Sequence, residues 1–201
     1  MRTSSLIRVA ALILVGWFIT LSGSQARAGE SSEVLQWKKH FGGKMGVALT
    51  SFRGDEYQQF DPRAGLTLGV FMRYGNYKLA LQPEIQYAQR GAEDMGASYV
   101  EMSCFFKFLN PIADAMRALN DDGGRRMLYL GPTVGVKVGS DYEGANATQF
   151  AVAFGADASW RLGQTVDVIF DARYSMSFSK AYDRTGLQNE GLEISVGLLF
   201  E

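Results

Sequence analysis

The last segment of the chain, "EGLEISVGLLFE" at residues 190–201, places an apolar side chain at every second position. These side chains are Leu192, Ile194, Val196, Leu198 and Phe200. A period of two residues is that of a β-strand with one apolar face. A soluble barrel turns this face inward to its core, whereas a membrane barrel turns it outward to lipid. The direction of the apolar face therefore decides the fold class and the compartment.

The same alternation recurs in seven earlier segments. They are residues 44–52, 64–74, 77–89, 99–108, 127–138, 149–160 and 166–178. Together with the last segment they give eight candidate strands separated by turn residues, a spacing typical of up-and-down barrels. The sequence therefore predicts an all-β fold, an eight-stranded antiparallel up-and-down transmembrane β-barrel.

The connections between the candidate strands alternate between short and long. Short turns are predicted at 75–76 and 162–164, and long polar loops at 53–63, 89–97, 139–148 and 179–190. Outer-membrane barrels have short periplasmic turns and longer external loops, so this order predicts which end faces outward. The connection 109–125 is longer than a short turn, and its apolar residues have helical spacing, which predicts a short helix.

The first 28 residues have the features of a secretory signal peptide. Arg2 and Arg8 flank the start of an apolar run over residues 9–21, and Ala26-Arg27-Ala28 matches a cleavage site. We expect a signal peptide at 1–28 cleaved near Ala28, a periplasmic lead-in at 29–43 and an outer-membrane barrel domain at 44–201. The alternative is a signal anchor that is never cleaved.

The composition excludes several classes of function. Removal of the signal peptide takes three of the 20 basic residues, which leaves 17 against 21 acidic ones, a net charge of −4. This balance argues against nucleic acid as a partner. The chain has one cysteine, Cys104, and one histidine, His40, so no internal disulfide is possible. Barrel hydrolases generally need His beside Ser or Asp, and His40 precedes the first predicted strand, so we expect no enzyme, cofactor or metal site.

The face between the apolar positions carries glycine, small residues and charges of both signs. Its charged residues on the predicted strands are Arg73, Glu84, Glu101, Lys107, Lys137, Asp157, Asp171, Arg173 and Glu193. The interior of an eight-stranded barrel is narrow, so small residues would make room for these side chains, which must be paired when buried. We interpret the nine as a structural charge network inside the barrel. The alternatives are an acid–base set or a path for cations.

The apolar face has aromatic residues near its strand ends, as the interfacial girdles of membrane barrels do. It also carries Pro83 and Pro132 well inside predicted strands, where we expect local bulges. The alternative fold is a soluble ligand-binding barrel of the lipocalin type, with the apolar face inside and the glycine-rich face in water.

Several strand motifs together resemble the outer-membrane β-barrel domain of PorT-like and OmpA-like proteins. The motifs are Leu81-Gln82-Pro83-Glu84, Gln89-Arg90-Gly91-Ala92, Tyr99-Val100-Glu101-Met102, Tyr129-Leu130-Gly131-Pro132 and Asp171-Ala172-Arg173-Tyr174. The resemblance covers residues 44–200. It implies an integral outer-membrane protein in contact with lipid, and we expect the protein to be a monomer. It also implies that Phe200, the aromatic residue of the last strand, is the signal read by the barrel-assembly machinery.

The resemblance does not single out one activity. The role we expect is non-enzymatic, either structural or in surface interaction through the long loops. The alternatives are an accessory of protein secretion across the outer membrane, with a secretion or surface partner, and a narrow pore.

Overall fold

The computed structural model describes residues 37–54, 61–76, 78–110, 124–141, 144–181 and 186–201. These residues form eight strands: β1 (Lys38–Arg53), β2 (Arg63–Gly75), β3 (Leu79–Ala92), β4 (Met95–Leu109), β5 (Arg125–Ser140), β6 (Thr148–Arg161), β7 (Val166–Ser177) and β8 (Gln188–Phe200). Each strand pairs antiparallel with the next, and β8 pairs with β1 to close the barrel. The predicted fold class is confirmed. Within the described ranges, no helix is long and apolar enough to cross a membrane.

The register of the strands fixes the geometry of the barrel. The row of paired residues that starts at Trp160 passes through Val168, Leu198, Gly43 and Val70. It continues through Ile85, Met102 and Val134 and returns to β6 at Phe150. The displacement from residue 160 to residue 150 is a shear of ten residues. With eight strands, this shear corresponds to a strand tilt of about 40°.

The two ends of the barrel differ in their connections. We call "terminal end" the end that holds the start of β1, the end of β8 and the connections 76–78, 110–124 and 162–165. The opposite "loop end" holds the connections 54–62, 93–94, 141–147 and 178–187. The predicted signal peptide, the lead-in up to residue 36 and the helix predicted in 109–125, at its residues 111–123, lie outside the described residues.

Two predicted boundaries are wrong. Strand β1 begins at Lys38, six residues before the predicted start at Lys44, so residues 38–43 of the predicted lead-in belong to the barrel. The long loop predicted at 89–97 is a tight hairpin, because β3 continues to Ala92 and β4 starts at Met95. Gly91 has a positive φ of 122° there, so the glycine that suggested a loop serves a bend within paired strands.

Pro83 and Pro132 produce no bulge, contrary to expectation. The β2–β3 ladder lacks paired residues between Phe71–Glu84 and Tyr74–Leu81, and the register is the same on both sides of this gap. The β4–β5 ladder has a similar gap opposite Pro132. Proline has no N–H to donate, so each ladder is interrupted on one side without a shift in register. The register shift that the structure does show lies between Ser98 and Tyr99, near the loop end.

The apolar face of the strands points outward. The exposed side chains include Leu68, Val70, Ile85, Met102, Leu130, Phe154 and Val196, which cover the wall of the barrel at mid-height. The alternate positions are buried in the interior. This arrangement is the reverse of a soluble lipocalin-type barrel, and the apolar residues Ile194, Val196, Leu198 and Phe200 of the last strand face outward.

Candidate functional site

The charged side chains of the interior form three connected layers, of which the first lies toward the terminal end. Asp157 of β6 is its centre. Arg73 of β2 donates from Nη2 to Asp157 Oδ2 over 2.8 Å, and Lys107 of β4 donates to the same oxygen. The amide oxygen of Gln82 accepts from Arg73 Nε at 3.2 Å. One carboxylate therefore compensates two buried cations.

The second layer lies at mid-height and contains two carboxylates. Glu84 lies between Lys44, whose Nζ is 2.9 Å from Oε2, and Arg173, whose Nη2 is 2.8 Å from Oε1. The same two cations approach Asp171 Oδ1, at 3.7 Å from Lys44 Nζ and 3.4 Å from Arg173 Nε. The hydroxyl of Tyr129 donates to Asp171 Oδ2 at 2.7 Å. Both carboxylates are thus held by donors from more than one strand.

The third layer lies toward the loop end. Arg90 binds Glu101 through two hydrogen bonds, and its Nη2 is also 3.4 Å from Glu193 Oε2. Gln86 donates from Nε2 to the same Glu193 oxygen at 2.9 Å. Arg173 Nε is 3.8 Å from Glu193 Oε1, which connects this layer to the one below it.

The network is balanced in charge. Within the described residues, these ion pairs join the cations Lys44, Arg73, Arg90, Lys107 and Arg173 to the carboxylates Glu84, Glu101, Asp157, Asp171 and Glu193. The five cations equal the five carboxylates in number. A buried charge is tolerated only when it is paired and hydrogen-bonded, so this equality favours a structural role.

Eight of the nine residues predicted for the network meet in it, and one does not. Lys137 is half-buried near the loop end of β5, and its ammonium donates to the carbonyl of Ala145. Two further members of the network, Lys44 and Arg90, were not among the predicted residues. Both have the strand phase of interior residues: Lys44 alternates with Met45 on β1, and Arg90 continues the series Gln82, Glu84 and Gln86 on β3. Their inward position in the strand alternation was the sequence signal that could have identified them.

Small residues make room for the large interior side chains. A Cβ on Gly155 would lie 2.7 Å from the hydroxyl oxygen of Tyr129, a distance that real Cβ atoms do not show. Tyr129 in turn packs against Phe105, with ring centroids 5.0 Å apart, and against Ala153. The glycine on the interior face thus permits the ring whose hydroxyl binds Asp171.

An apolar cluster closes the loop end above the charged layers. It consists of Phe52, Ala92, Ala97, Tyr99, Ala145, Ala181 and Leu187, with Met95 packed against it. We call this cluster the apolar cap. It draws on strands and on two loop-end connections, so the loops are tied to the barrel wall. Among the described residues, buried apolar side chains therefore lie above the charged layers at this end.

The groups that could carry chemistry lie apart from one another. His40 is buried near the terminal end, where it pairs in register with Arg73. Cys104 lies half-buried on the apolar face of β4. Across the parts of the chain that the structure describes, no three His, Cys, Asp or Glu side chains are grouped to hold a metal ion.

Comparison with protein-family models and with curated proteins finds no match. Solved structures do match. Neisserial surface protein A (NspA) is 10% identical, with 82% of this chain and 98% of that chain covered and a TM-score of 0.58. The attachment invasion locus protein Ail of Yersinia pestis is 16% identical, with 81% of this chain and 99% of that chain covered and a TM-score of 0.44.

This chain has the fold of an eight-stranded outer-membrane β-barrel. The likeness to NspA concerns the fold, since so low an identity carries over no residue and no role. The fold agrees with the outward apolar wall and the paired interior, which the barrel of this chain shows by itself.

Phe200, the residue predicted as assembly signal, is exposed on the outer wall at the terminal end. It pairs with Phe41 of β1 and Val166 of β7. Glu201 follows it and is held by Arg161, whose Nη2 is 2.6 Å from Glu201 Oε1. The aromatic side chain therefore lies on the lipid-facing side at the last residue of the last strand.

Proposed function

We propose that this protein is a non-enzymatic, integral outer-membrane barrel whose loop end is presented to the outside as an interaction surface. The observation that carries the proposal is the outward apolar wall around an interior of balanced, paired charges. Such a wall is stable only against lipid. Among the described residues, the ion pairs of the network engage its five carboxylates and its five cations.

The first test is heat modifiability in the washed outer-membrane fraction. A folded membrane barrel resists SDS, so the unboiled protein should migrate faster than the boiled protein. Soluble periplasmic protein without a shift would contradict the proposal. We also propose that the signal peptide is cleaved near Ala28, which the mass of the purified protein tests.

The surface role rests on how firmly the loop end is built. The apolar cap ties connections to the wall, and Arg63 Nη1 is 2.6 Å from Asp141 Oδ2, which joins β2 to the end of β5. Binding residues in proteins often lie on loops that a rigid scaffold positions. We therefore place the interaction surface at this end.

The orientation can be tested with a maleimide that does not cross membranes, in a Cys104→Ala background. Lys180→Cys at the loop end should react in intact cells. Gly163→Cys at the terminal end, where a side chain would meet open space, should react only after lysis. If only Gly163→Cys reacted in intact cells, the terminal end would face outward, contrary to the proposed orientation.

The role of Phe200 in assembly has a direct test. We expect Phe200→Ala to lower the amount of heat-modifiable barrel in the membrane, because a machinery that reads the last strand would lose its aromatic contact. Phe41→Ala, on the neighbouring strand at the same height, is the matched control. Equal losses for the two variants would mean that Phe200 contributes to packing and not to recognition by the machinery.

A role as accessory of secretion rests on the resemblance to PorT-like proteins in the quoted strand motifs. No contact among the described residues favours it over a surface role. A strain lacking the protein should secrete normally under our proposal, and a secretion defect restored by the intact gene would favour the PorT-like role.

A further inference from the structure

A cluster of two aromatic rings and a lysine lies on the outer wall at the terminal end. The rings of Trp37 and Tyr74 are 5.1 Å apart, and the Nζ of Lys39 is 6.0 Å from the centre of the Tyr74 ring. Lys39 pairs in register with Tyr74 across β1 and β2. All three side chains are exposed. We call them the terminal-end cluster.

The height of this cluster matches the edge of a bilayer. From the tilt and the strand spacing, Lys39 lies about 13 Å below Val70 along the barrel axis. Val70 lies midway along the register row between Trp160 and Phe150. The apolar band of membrane barrels is roughly 25 Å tall, so Lys39 falls at its lower boundary, where headgroups begin.

Lys39 differs from Arg161 and Arg63, two other cations near the barrel rims, because no carboxylate among the described residues pairs with it. Arg161, at the same end, is held by Asp167 and Glu201. Arg63, at the loop end, is held by Asp141. Lys39 instead faces an electron-rich ring and the lipid side.

A shallow groove on the outer wall lies at Gly43, above the cluster and beyond Phe41. Gly43 is on the outward face of β1, and a Cβ there would have as its nearest neighbour the Gly69 carbonyl oxygen at 3.7 Å. The groove is bordered along β1 by Phe41 and Met45 and sideways by Val70 and Leu198. Its floor is glycine and its borders are apolar, which suits an acyl chain.

Resting on the proposed function, we propose that the terminal-end cluster and the Gly43 groove form a binding site for one anionic phospholipid of the periplasmic leaflet. Lys39 contacts the phosphate, Trp37 and Tyr74 flank the headgroup and glycerol region, and an acyl chain lies over Gly43. Aromatic rings prefer this interfacial depth, and a cation near an anionic lipid surface is stabilised there.

The test uses brominated lipids, which quench tryptophan fluorescence on contact. Trp37 and Trp160 are the tryptophans of residues 29–201. With Trp160→Phe, the barrel is reconstituted in phosphatidylcholine vesicles that contain brominated phosphatidylglycerol or brominated phosphatidylcholine. We expect Trp37 to prefer the anionic lipid by about fivefold, the factor typical of one lysine near an anionic surface. Equal quenching by the two lipids would overturn the proposal.

Two pairs of variants separate a built site from general attraction. Lys39→Gln should abolish the preference, whereas Lys180→Gln at the loop end should retain it. Gly43→Leu should reduce quenching of Trp37 by both brominated lipids, because the acyl chain that the groove holds is common to them, whereas Gly139→Leu, also in open space, should not. If the two variants of a pair had the same effect on quenching, the result would contradict the proposed site.

Trp160 provides the internal reference. It lies at the terminal end on β6, and the quenching of its fluorescence is measured in the Trp37→Phe variant. A preference at Trp160 equal to that at Trp37 would mean a diffuse accumulation of anionic lipid and would overturn the site. The SDS gel shift of the same vesicles keeps the two proposals distinguishable. Without a shift the proposed function fails, whereas a shift without lipid preference contradicts the lipid site only.

Discussion

Arg90 and Glu101 meet inside the barrel through two parallel hydrogen bonds, from Nε to Oε1 at 2.9 Å and from Nη2 to Oε2 at 2.8 Å. The pair joins β3 to β4, and Arg90 also reaches Glu193 on β8. One guanidinium thus connects three strands across the interior. Such connections join strands across the interior, beside the small apolar cluster of Phe105, Tyr129 and Ala153.

The first prediction concerns this pair. Arg90→Met leaves the buried Glu101 without its cation and leaves Glu193 with Arg173 alone, and we expect the free energy of unfolding to fall by about 3–5 kcal/mol. Urea unfolding in vesicles, followed by tryptophan fluorescence, measures the loss. Glu101→Gln should also destabilise, and the double variant should lose clearly less than the sum of the two single losses. Additive losses would show that the two residues do not act as a pair.

The second prediction compares a buried carboxylate with an exposed one. Asp157→Asn leaves Arg73 and Lys107 close together without a counter-charge, so we expect a loss of about 3 kcal/mol or more. Glu201→Gln removes a carboxylate from Arg161, which is half-exposed, and should cost less than about 1 kcal/mol. The same urea titration measures both variants. Similar losses would contradict the view that the interior network stabilises the barrel.

Much of the fold could be predicted because a barrel repeats one simple pattern. The two-residue period located all eight strands, and the glycine-rich character of one face indicated which face is inside. Strand ends were less predictable. Residues 38–43 continue β1 although Gly43 interrupts the apolar series. Gly91 bends within a hairpin whose composition had suggested a loop.

The pairing inside the barrel could be predicted in kind but not in detail. The strand alternation alone places Lys44 and Arg90 in the interior. The carboxylate that each one meets depends on the shear of ten residues, and no local sequence pattern reveals that shear. Lys137 has the phase of an interior residue too. It lies near the loop end, above the charged layers, and meets the carbonyl of Ala145 instead.

The third prediction tests the direction of the apolar face. Val70 and Val138 are similarly exposed, at 62% and 58%. Val138 lies about 19 Å higher along the barrel axis, beyond the apolar band. Val70→Asp should therefore prevent accumulation of heat-modifiable barrel in the membrane, whereas Val138→Asp should be tolerated. Equal tolerance would mean that the wall does not face lipid.

The fourth prediction concerns the β3–β4 hairpin. Gly91 has a φ of 122°, and a Cβ there would lie 2.2 Å from the Met95 carbonyl oxygen. Its own carbonyl accepts a hydrogen bond from Thr50 Oγ1 at 2.8 Å. We expect Gly91→Ala to destabilise by about 1–3 kcal/mol, the range of local backbone strain. Gly139→Ala, with nothing within 4 Å, is the control and should change stability by less than about 0.5 kcal/mol. Equal effects would contradict the strained geometry of the hairpin.

The fifth prediction concerns conduction. The three charged layers and the apolar cap fill the interior, and eight strands leave a lumen that side chains can occupy fully. We therefore expect no single-channel steps in planar bilayers, with insertion verified by the SDS gel shift of the same preparation. A Phe52→Ala, Tyr99→Ala variant, which opens the cap alone, should stay silent because the charged layers below it remain closed. Steps in the unaltered protein would show that the layers open and would favour the narrow-pore alternative.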